Sequence, residues 1–153
     1  ALPVCICWPP YDAIAESWIA RVTGFSGDVD CCEAINGNHT LVKGFETDCN
    51  PTPNRDHCQW AKKLSLTGGA CAGRNVCIIL YAEFYVGRIY LKIHMTDPAT
   101  PFEDYYALFF LPAASFNPVG SNTFTRVSGS VCSEWFGSQM CATMPSSIVV
   151  EPG

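Results

Sequence analysis

Charge is scarce in this 153-residue chain, and long apolar runs are missing. Asp, Glu, Lys and Arg make up 15% of the residues, against about 25% in an average soluble protein. Nine basic residues face fourteen acids, a formal net charge of -5, and Lys62-Lys63 is the only adjacent basic pair. No nucleic-acid partner is expected, because phosphate binding needs clustered Lys and Arg. Residues 105–111, followed by Pro112, Ala113 and Ala114, form the longest apolar stretch. That is far below the roughly 20 residues of a membrane-spanning helix, so no membrane span is expected. Internal repeats and low-complexity tracts are also missing.

Catalytic signatures are equally thin. Gly24-Phe25-Ser26-Gly27 is not a G-x-S-x-G nucleophile elbow, and Ser128-Gly129-Ser130 reads as a turn. The three histidines fall beside a turn (His39), in a Pro-rich loop (His57) and on the polar face of a strand (His94). Each reads as a surface or hydrogen-bonded histidine and not as a general base. No nucleophile–base set emerges, so the chain is not expected to be an enzyme. No cysteine pair has the C-x₂₋₄-C spacing of a structural zinc site, and neither a metal nor a cofactor is expected.

What the chain does have is ten cysteines: Cys5, Cys7, Cys31, Cys32, Cys49, Cys58, Cys71, Cys77, Cys132 and Cys141. An even number of thiols without metal spacing reads as a disulfide framework, and disulfides persist outside the cell. A chain of about 150 residues buries enough surface to fold without them, so the bridges reinforce a real core. Three local pairs are expected: Cys71–Cys77 across a Gly-rich turn, Cys132–Cys141 around Trp135, and Cys49–Cys58 around a Pro-rich loop. By elimination Cys5 and Cys7 would pair with Cys31 and Cys32, since neighbouring cysteines reach outward more easily than to each other. The chain begins at Ala1, without Met or signal peptide, as expected of a processed export product or a segment of a longer protein.

Strand signals dominate. Arg88-Ile89-Tyr90-Leu91-Lys92-Ile93-His94-Met95 alternates aliphatic with polar or amphipathic residues, the mark of a half-buried strand. With β-branched and aromatic residues 76–85 before it and Gly87 at the turn, it reads as a hairpin. Ile14, Trp18, Ala20 and Val22 share one face of a first strand ending at Gly24; a short amphipathic helix is the competing assignment. Further strands are expected at 40–43, 59–66, 105–111, 123–128 and 147–150, the 105–111 strand central because it is apolar on both faces. Clusters of Gly, Pro, Asn and Asp separate them. The fold class is therefore all-β, a disulfide-stapled β-sandwich or jelly roll of about eight strands. It would occupy residues 11–153, behind an extended N-terminal segment at 1–10.

Three groups of side chains are candidates for binding. Asp28 and Asp30, like Glu46 with Asp48 and Glu103 with Asp104, could hold calcium or serve glycoside chemistry; solvated turn carboxylates are the plainer reading. Tyr81 and Tyr85 share a strand face and Tyr90 lies across from them, either a glycan-stacking platform or a cross-strand pair that stabilises the sheet. Trp18 and Trp60 read as core. Asn38-His39-Thr40 is the one N-glycosylation sequon, making Asn38 a candidate acceptor.

Three elements together resemble a cysteine-rich β-sandwich repeat of large secreted and surface proteins of environmental bacteria and some of their viruses. They are Cys32-x-x-Ile35-Asn36-Gly37-Asn38-x-Thr40-Leu41, Cys58-x-Trp60, and Cys141-x-x-Met144-Pro145-x-x-Ile148-Val149-Val150-x-Pro152. They cover about a fifth of the chain, and residues 87–126 match nothing. The resemblance implies an extracellular β-sandwich module, often displayed in arrays, with no catalytic residues to carry over.

The function expected is a secreted, cell-surface structural subunit that associates with itself head to tail into a filament, pilus-like fibre or surface layer. Either the apolar segment 1–10 or the C-terminal tail 147–152 adds a strand to a neighbour's sheet, in open contacts that propagate, or both tails pair within their own domain; the sequence leaves the two alternatives equal. The alternative is an adhesin or carbohydrate-binding module with glycans as partners.

Overall fold

Alternation builds this fold. In Ser17–Val22 (β1), Trp18, Ala20 and Val22 are completely buried while the residues between them are not. Facing residues this way suits a strand and excludes the amphipathic helix. The computed structural model describes residues 14–43, 59–83, 87–96, 104–128 and 141–153. The strands that follow are Ser26–Gly27 (β2), Gly37–Lys43 (β3), Gln59–Ser65 (β4), Asn75–Glu83 (β5), Arg88–Thr96 (β6), Asp104–Pro112 (β7), Asn122–Arg126 (β8), Cys141–Thr143 (β9) and Ser147–Pro152 (β10). Short 3-10 turns stand at Glu33–Ile35, Gly69–Cys71 and Ala113–Ser115.

Among the described residues, eight of these strands close into an antiparallel barrel in the order β1-β10-β8-β7-β6-β5-β4-β3, and β2 with β9 forms a separate two-stranded clip. The chain meanders from β3 to β8, each strand beside the next. The last strand, β10, enters between β8 and β1 and completes the wall. The expected hairpin is there, with nine register pairs between β5 and β6, from Asn75–Thr96 to Glu83–Arg88. Gly87 occupies the left-handed region at its turn (φ 63°), where a Cβ would be strained. Strand β7 is flanked on both sides, by β6 and by β8, as its two apolar faces required.

The all-β class and the strand number match the sequence; the two-sheet sandwich or jelly roll does not, because the sheet closes on itself. The closure is uneven. β3 meets β4 at only two register pairs, Val42–Ala61 and Lys43–Trp60, and β7 meets β8 at only Phe109–Arg126 and Phe110–Thr125. Elsewhere the pairing runs to between four and nine residues. Two blocks, β4-β5-β6-β7 and β8-β10-β1-β3, are thus joined along two narrow seams. The alternation that signals a half-buried strand is the same in a sandwich and a barrel, so the pattern alone does not separate them.

The interior is packed side chain. Trp18, Leu41, Phe109 and Phe124 are wholly buried and Trp60 nearly so, which bears out the reading of both tryptophans as core. Trp18 meets Trp60 edge-on at 6.5 Å and Phe116 at 5.4 Å. The Trp60 Nε1–H donates to the Ala15 carbonyl at 2.9 Å, anchoring the stretch before β1 across the barrel end. Trp18 Nε1 is buried without a partner, a cost of about 1–3 kcal/mol set against the burial of one of the two largest side chains in the core.

Outside, the two blocks differ. On β3, β1, β10 and β8 the outward residues include Asn38, Thr40, Arg21, Glu151 and Thr125. On these four strands, over an apolar interior, the polarity is the reverse of that of a membrane-spanning barrel, whose outer band is apolar; β4, β5 and β7 instead turn Ala61, Ile79, Tyr81, Leu108 and Phe110 outward. Among the described residues, no helix is long and apolar enough to cross a membrane.

The C-terminal tail follows the within-domain alternative. β10 pairs with β1 on one side and β8 on the other, and the Gly153 N–H donates to the Ser17 carbonyl at 2.9 Å. The tail is spent within its own domain. The N-terminal segment 1–10 lies outside the described residues.

Candidate functional site

The most elaborated region is the barrel end where β1 leads into β2 and the 3-10 turn Glu33–Ile35. Asp28 starts it. Its Oδ1 accepts from the Asp30 N–H at 2.8 Å and the Cys31 N–H at 2.9 Å, while its carbonyl accepts from Cys32 and Glu33. This is Asx-turn chemistry; it engages one oxygen of an exposed carboxylate, in line with the plainer reading of a turn acid over a calcium ligand. The Asp30 carboxylate lies against the Gly68–Gly69 backbone, where any Cβ would collide with it. No cluster of three His, Cys, Asp or Glu residues able to hold a metal occurs among the described residues.

The turn aims two adjacent cysteines at two distant segments. Cys31 bonds Cys71, 40 residues on, and Cys32 bonds Cys141, 109 residues on, each with Cα atoms 5.4 Å apart. These bridges overturn four of the five expected pairings. Cys71 cannot meet Cys77 because the two face opposite ways. Cys71 sits in the main core cluster, whereas Cys77 is on the outer face of β5, paired with Lys63 and His94 across the neighbouring strands. Cys141 is placed by the β2–β9 clip, opposite Gly27, which brings it to Cys32 and not to Cys132. Cys31 and Cys32, both taken, are closed to Cys5 and Cys7. Cys77 is itself disulfide-bonded, with a partner outside the described residues, as are both members of the expected Cys49–Cys58 pair.

Physical roles now attach to the sequence elements around these cysteines. Asn36 clamps Phe25: Nδ2–H donates to the Phe25 carbonyl at 2.7 Å and Oδ1 accepts the Phe25 N–H at 3.1 Å. Ile35 is wholly buried, and Gly37 has φ 142°, outside the range an L side chain favours. In the closing element, Pro145 packs on Gly24, itself at φ 99°, and Ile148 and Val150 fill the core. Ser26 and Thr143 join hydroxyls across the clip. Asn36, the side chain that ties the loop to the strand entry, carries no sequence signal for that role beyond an Asn before a Gly, four residues after Cys32.

His39 is buried in the barrel, not on the surface. It alternates with exposed Asn38 and Thr40 on β3 and bonds the Ile35 carbonyl through Nε2 at 2.7 Å. Since a carbonyl only accepts, Nε2 carries the proton. Burial lowers its pKa below the ordinary histidine value; the Ile35 carbonyl works the other way, and the Lys62 charge lowers it further. His94 is half-buried on the outer face of β6, between Cys77 and Tyr106. His57, Tyr85 and Trp135 lie outside the described residues.

The outer face of β5, β6 and β7 carries the aromatic candidates. Tyr81 and Tyr90 are cross-strand partners and stack at 5.5 Å, 26° from parallel. Tyr90 is only 7% exposed, so the pair covers itself more than it offers an open platform. Beside it, the Arg88 guanidinium lies 4.7 Å from the Phe110 ring and the Lys92 ammonium 5.0 Å from Tyr106, both cation–π contacts. Asn38 and Thr40 of the sequon point outward and are exposed.

No protein-family model, curated protein or solved structure matches this chain.

Proposed function

We propose that this chain is an extracellular structural module, a subunit that associates with copies of itself into a filament or surface layer. The observation that carries the reading is a barrel filled with side chains, with bridges spanning 40 and 109 residues pinning one end. Such a body offers its outside to partners, and its bridges suit an oxidising compartment. The cysteine-rich secreted repeats that the motifs resemble support the same location. A closed barrel has no free edge for strand addition, its narrowest pairings lie between β3 and β4 and between β7 and β8, and β10 is held from both sides. Head-to-tail strand exchange therefore needs segment 1–10 as donor and one of those two seams as acceptor. Light scattering of the native protein at rising concentration, with negative-stain microscopy, tests assembly; a monomer at every concentration refutes it. Deleting residues 1–8 tests the route, since filaments that survive the deletion are not built by that strand.

A second reading, a glycan-binding adhesin, is favoured by the Arg88–Phe110 and Lys92–Tyr106 pairs beside the Tyr81–Tyr90 stack. A glycan array probed with the native protein and with Tyr90→Ala and Phe110→Ala separates the two. Specific binding lost in both variants supports the adhesin; an empty array removes it.

A further inference from the structure

The two halves of the barrel wall differ in what they leave uncovered. On β5 the outward residues Cys77 and Ile79 are 0% and 7% exposed, about as buried as Ile78 between them. On β3 the outward row of Asn38, Thr40 and Val42 is exposed, while His39 and Leu41 between them are buried. Asn38 and Thr40 stand two residues apart on one strand, so their side chains share its outer face at a spacing of about 7 Å. Together with His39 they form the pattern Asn-x-Thr, with no Pro at its centre. We infer that Asn38 is an N-glycosylation site and carries an oligosaccharide on the uncovered wall of the barrel.

The fold leaves both side chains to solvent. Across the ladder to β1, Asn38 stands opposite Arg21 and Thr40 opposite Ile19. The Arg21 guanidinium is turned away, to Glu151 on β10, the neighbour of β1 on its other side. On the β4 flank, Gly37–Leu41 shares no register pair with the next strand. Among the described residues, neither Asn38 nor Thr40 has a side-chain hydrogen bond. Asn36 shows the contrast, since its amide is committed to both backbone groups of Phe25. A sugar on Asn38 therefore displaces no contact of the fold and lies on a wall whose outward residues are already polar. The bridges Cys31–Cys71 and Cys32–Cys141 suit the oxidising route of an exported chain, and it is in secreted proteins that this pattern is an acceptor. The transfer forms a bond between Asn38 Nδ2 and the anomeric carbon of an oligosaccharide carried on a lipid pyrophosphate. The bond from that carbon to the pyrophosphate oxygen breaks, the lipid pyrophosphate leaves with the electron pair, and Nδ2 gives up one proton.

This inference needs an exported chain and neither the assembly nor the adhesin reading. The test is mass spectrometry of the protein from the cells that make it, before and after a peptide-N-glycosidase, which cuts the sugar from the amide and leaves Asp in place of Asn. The intact mass should exceed that of the disulfide-bonded sequence by a series of sugar residues, and the excess should vanish on treatment. The peptide that spans β3 should then carry Asp at position 38. Thr40→Ala, made in the same cells, should lose the sugar, and Thr40→Ser should keep it. Thr40 is exposed and its side chain is bonded to nothing among the described residues, so both variants keep the fold. An unmodified Asn38 in the native protein overturns the inference. So does sugar that persists in Thr40→Ala, or that maps only to residues other than Asn38.

Discussion

The Asn36 side-chain amide hydrogen-bonds both backbone groups of Phe25, eleven residues earlier in the chain. It acts as one extra rung of a β-ladder where no strand runs. Phe25, only 2% exposed, is thereby held in the core cluster, and the loop that carries Cys31 and Cys32 is closed at its neck. Replacing Asn36 with Ala removes both bonds to the part-buried Phe25 backbone. The expected loss is about 2–3 kcal/mol, from two bonds of roughly 0.5–1.5 kcal/mol each plus desolvation. Asn36→Asp keeps the acceptor for the Phe25 N–H but sets a carboxylate oxygen against the Phe25 carbonyl, so it should lose at least as much. Urea unfolding midpoints at constant m-value measure both.

The two bridges at this end constrain the unfolded chain on different scales. In the chain-entropy model, loops of 40 and 109 residues correspond to roughly 4 and 5 kcal/mol. The locally paired bridges read from the sequence would have contributed less. Paired replacement of Cys32 and Cys141 by Ala should therefore destabilise more than replacement of Cys31 and Cys71. The four-residue variant should lose less than the sum, because both loops start at the same turn. Guanidinium melts of the three variants decide, with peptide mapping of the native protein to verify that the bridges are Cys31–Cys71 and Cys32–Cys141.

What was legible in the sequence was whatever depends on a residue and its near neighbours. Alternation located β1 and β6, β-branched and aromatic residues located β5, a run apolar on both faces located β7, and the bulk of Trp18 and Trp60 marked them as core. What was hidden depends on where separate strands come together. The pairing of Cys31 with Cys71 requires the β4–β5 turn to arrive beside the Asp28 turn, and Cys141 is placed by a clip as short as two residues on its β2 side. Neither short strand has enough residues to show a period. Gly37 and Asn38 carried turn chemistry and yet begin β3; the cross-strand pairing with Val22 and Arg21 outweighs local preference there. His39 is hydrogen-bonded, one of its two expected readings, and its burial was hidden for the same reason, since β3 begins at Gly37, three residues before the expected start at 40.

The outer salt bridge offers a pH readout. Arg21 Nε donates to Glu151 Oε1 at 2.7 Å, with a second contact from its Nη2, and Ser121 adds a longer bond to Oε2 at 3.4 Å. The Arg21 hydrogen bond holds the Glu151 pKa below the ordinary carboxylate value, with burial opposing and the Arg21 charge reinforcing. A lowered folded pKa means the unfolded chain binds the proton more readily. The stabilisation is thus full above the ordinary glutamate pKa and fades as pH falls through the lower, folded value. The group is at the surface, so the effect on stability should be small and weaken with salt. Carboxyl chemical shifts should show Glu151 titrating below an ordinary glutamate, and Arg21→Gln should return it to the ordinary range. A Glu151 titration that ignores the Arg21 substitution would remove the bond from the account.

The second glycine of the Gly68–Gly69 pair meets two separate demands, and a double-mutant cycle can tell them apart. Gly69 has φ 57°, a left-handed conformation that costs an L residue roughly 1–2 kcal/mol. A Cβ there would also stand 2.6 Å from the Asp30 Oδ2, closer than nonbonded atoms approach. Gly69→Ala should therefore destabilise by more than the backbone cost alone, as the Asp30 carboxylate is pushed away next to the Cys31–Cys71 bridge. Asp30→Ala removes the collision and leaves the dihedral. Introduced together, the two changes should be less harmful than their sum, with a coupling of about 0.5–3 kcal/mol, the range for residues in contact. Additive losses in thermal or urea unfolding would mean that backbone conformation alone accounts for the glycine, and that Asp30 moves aside without strain.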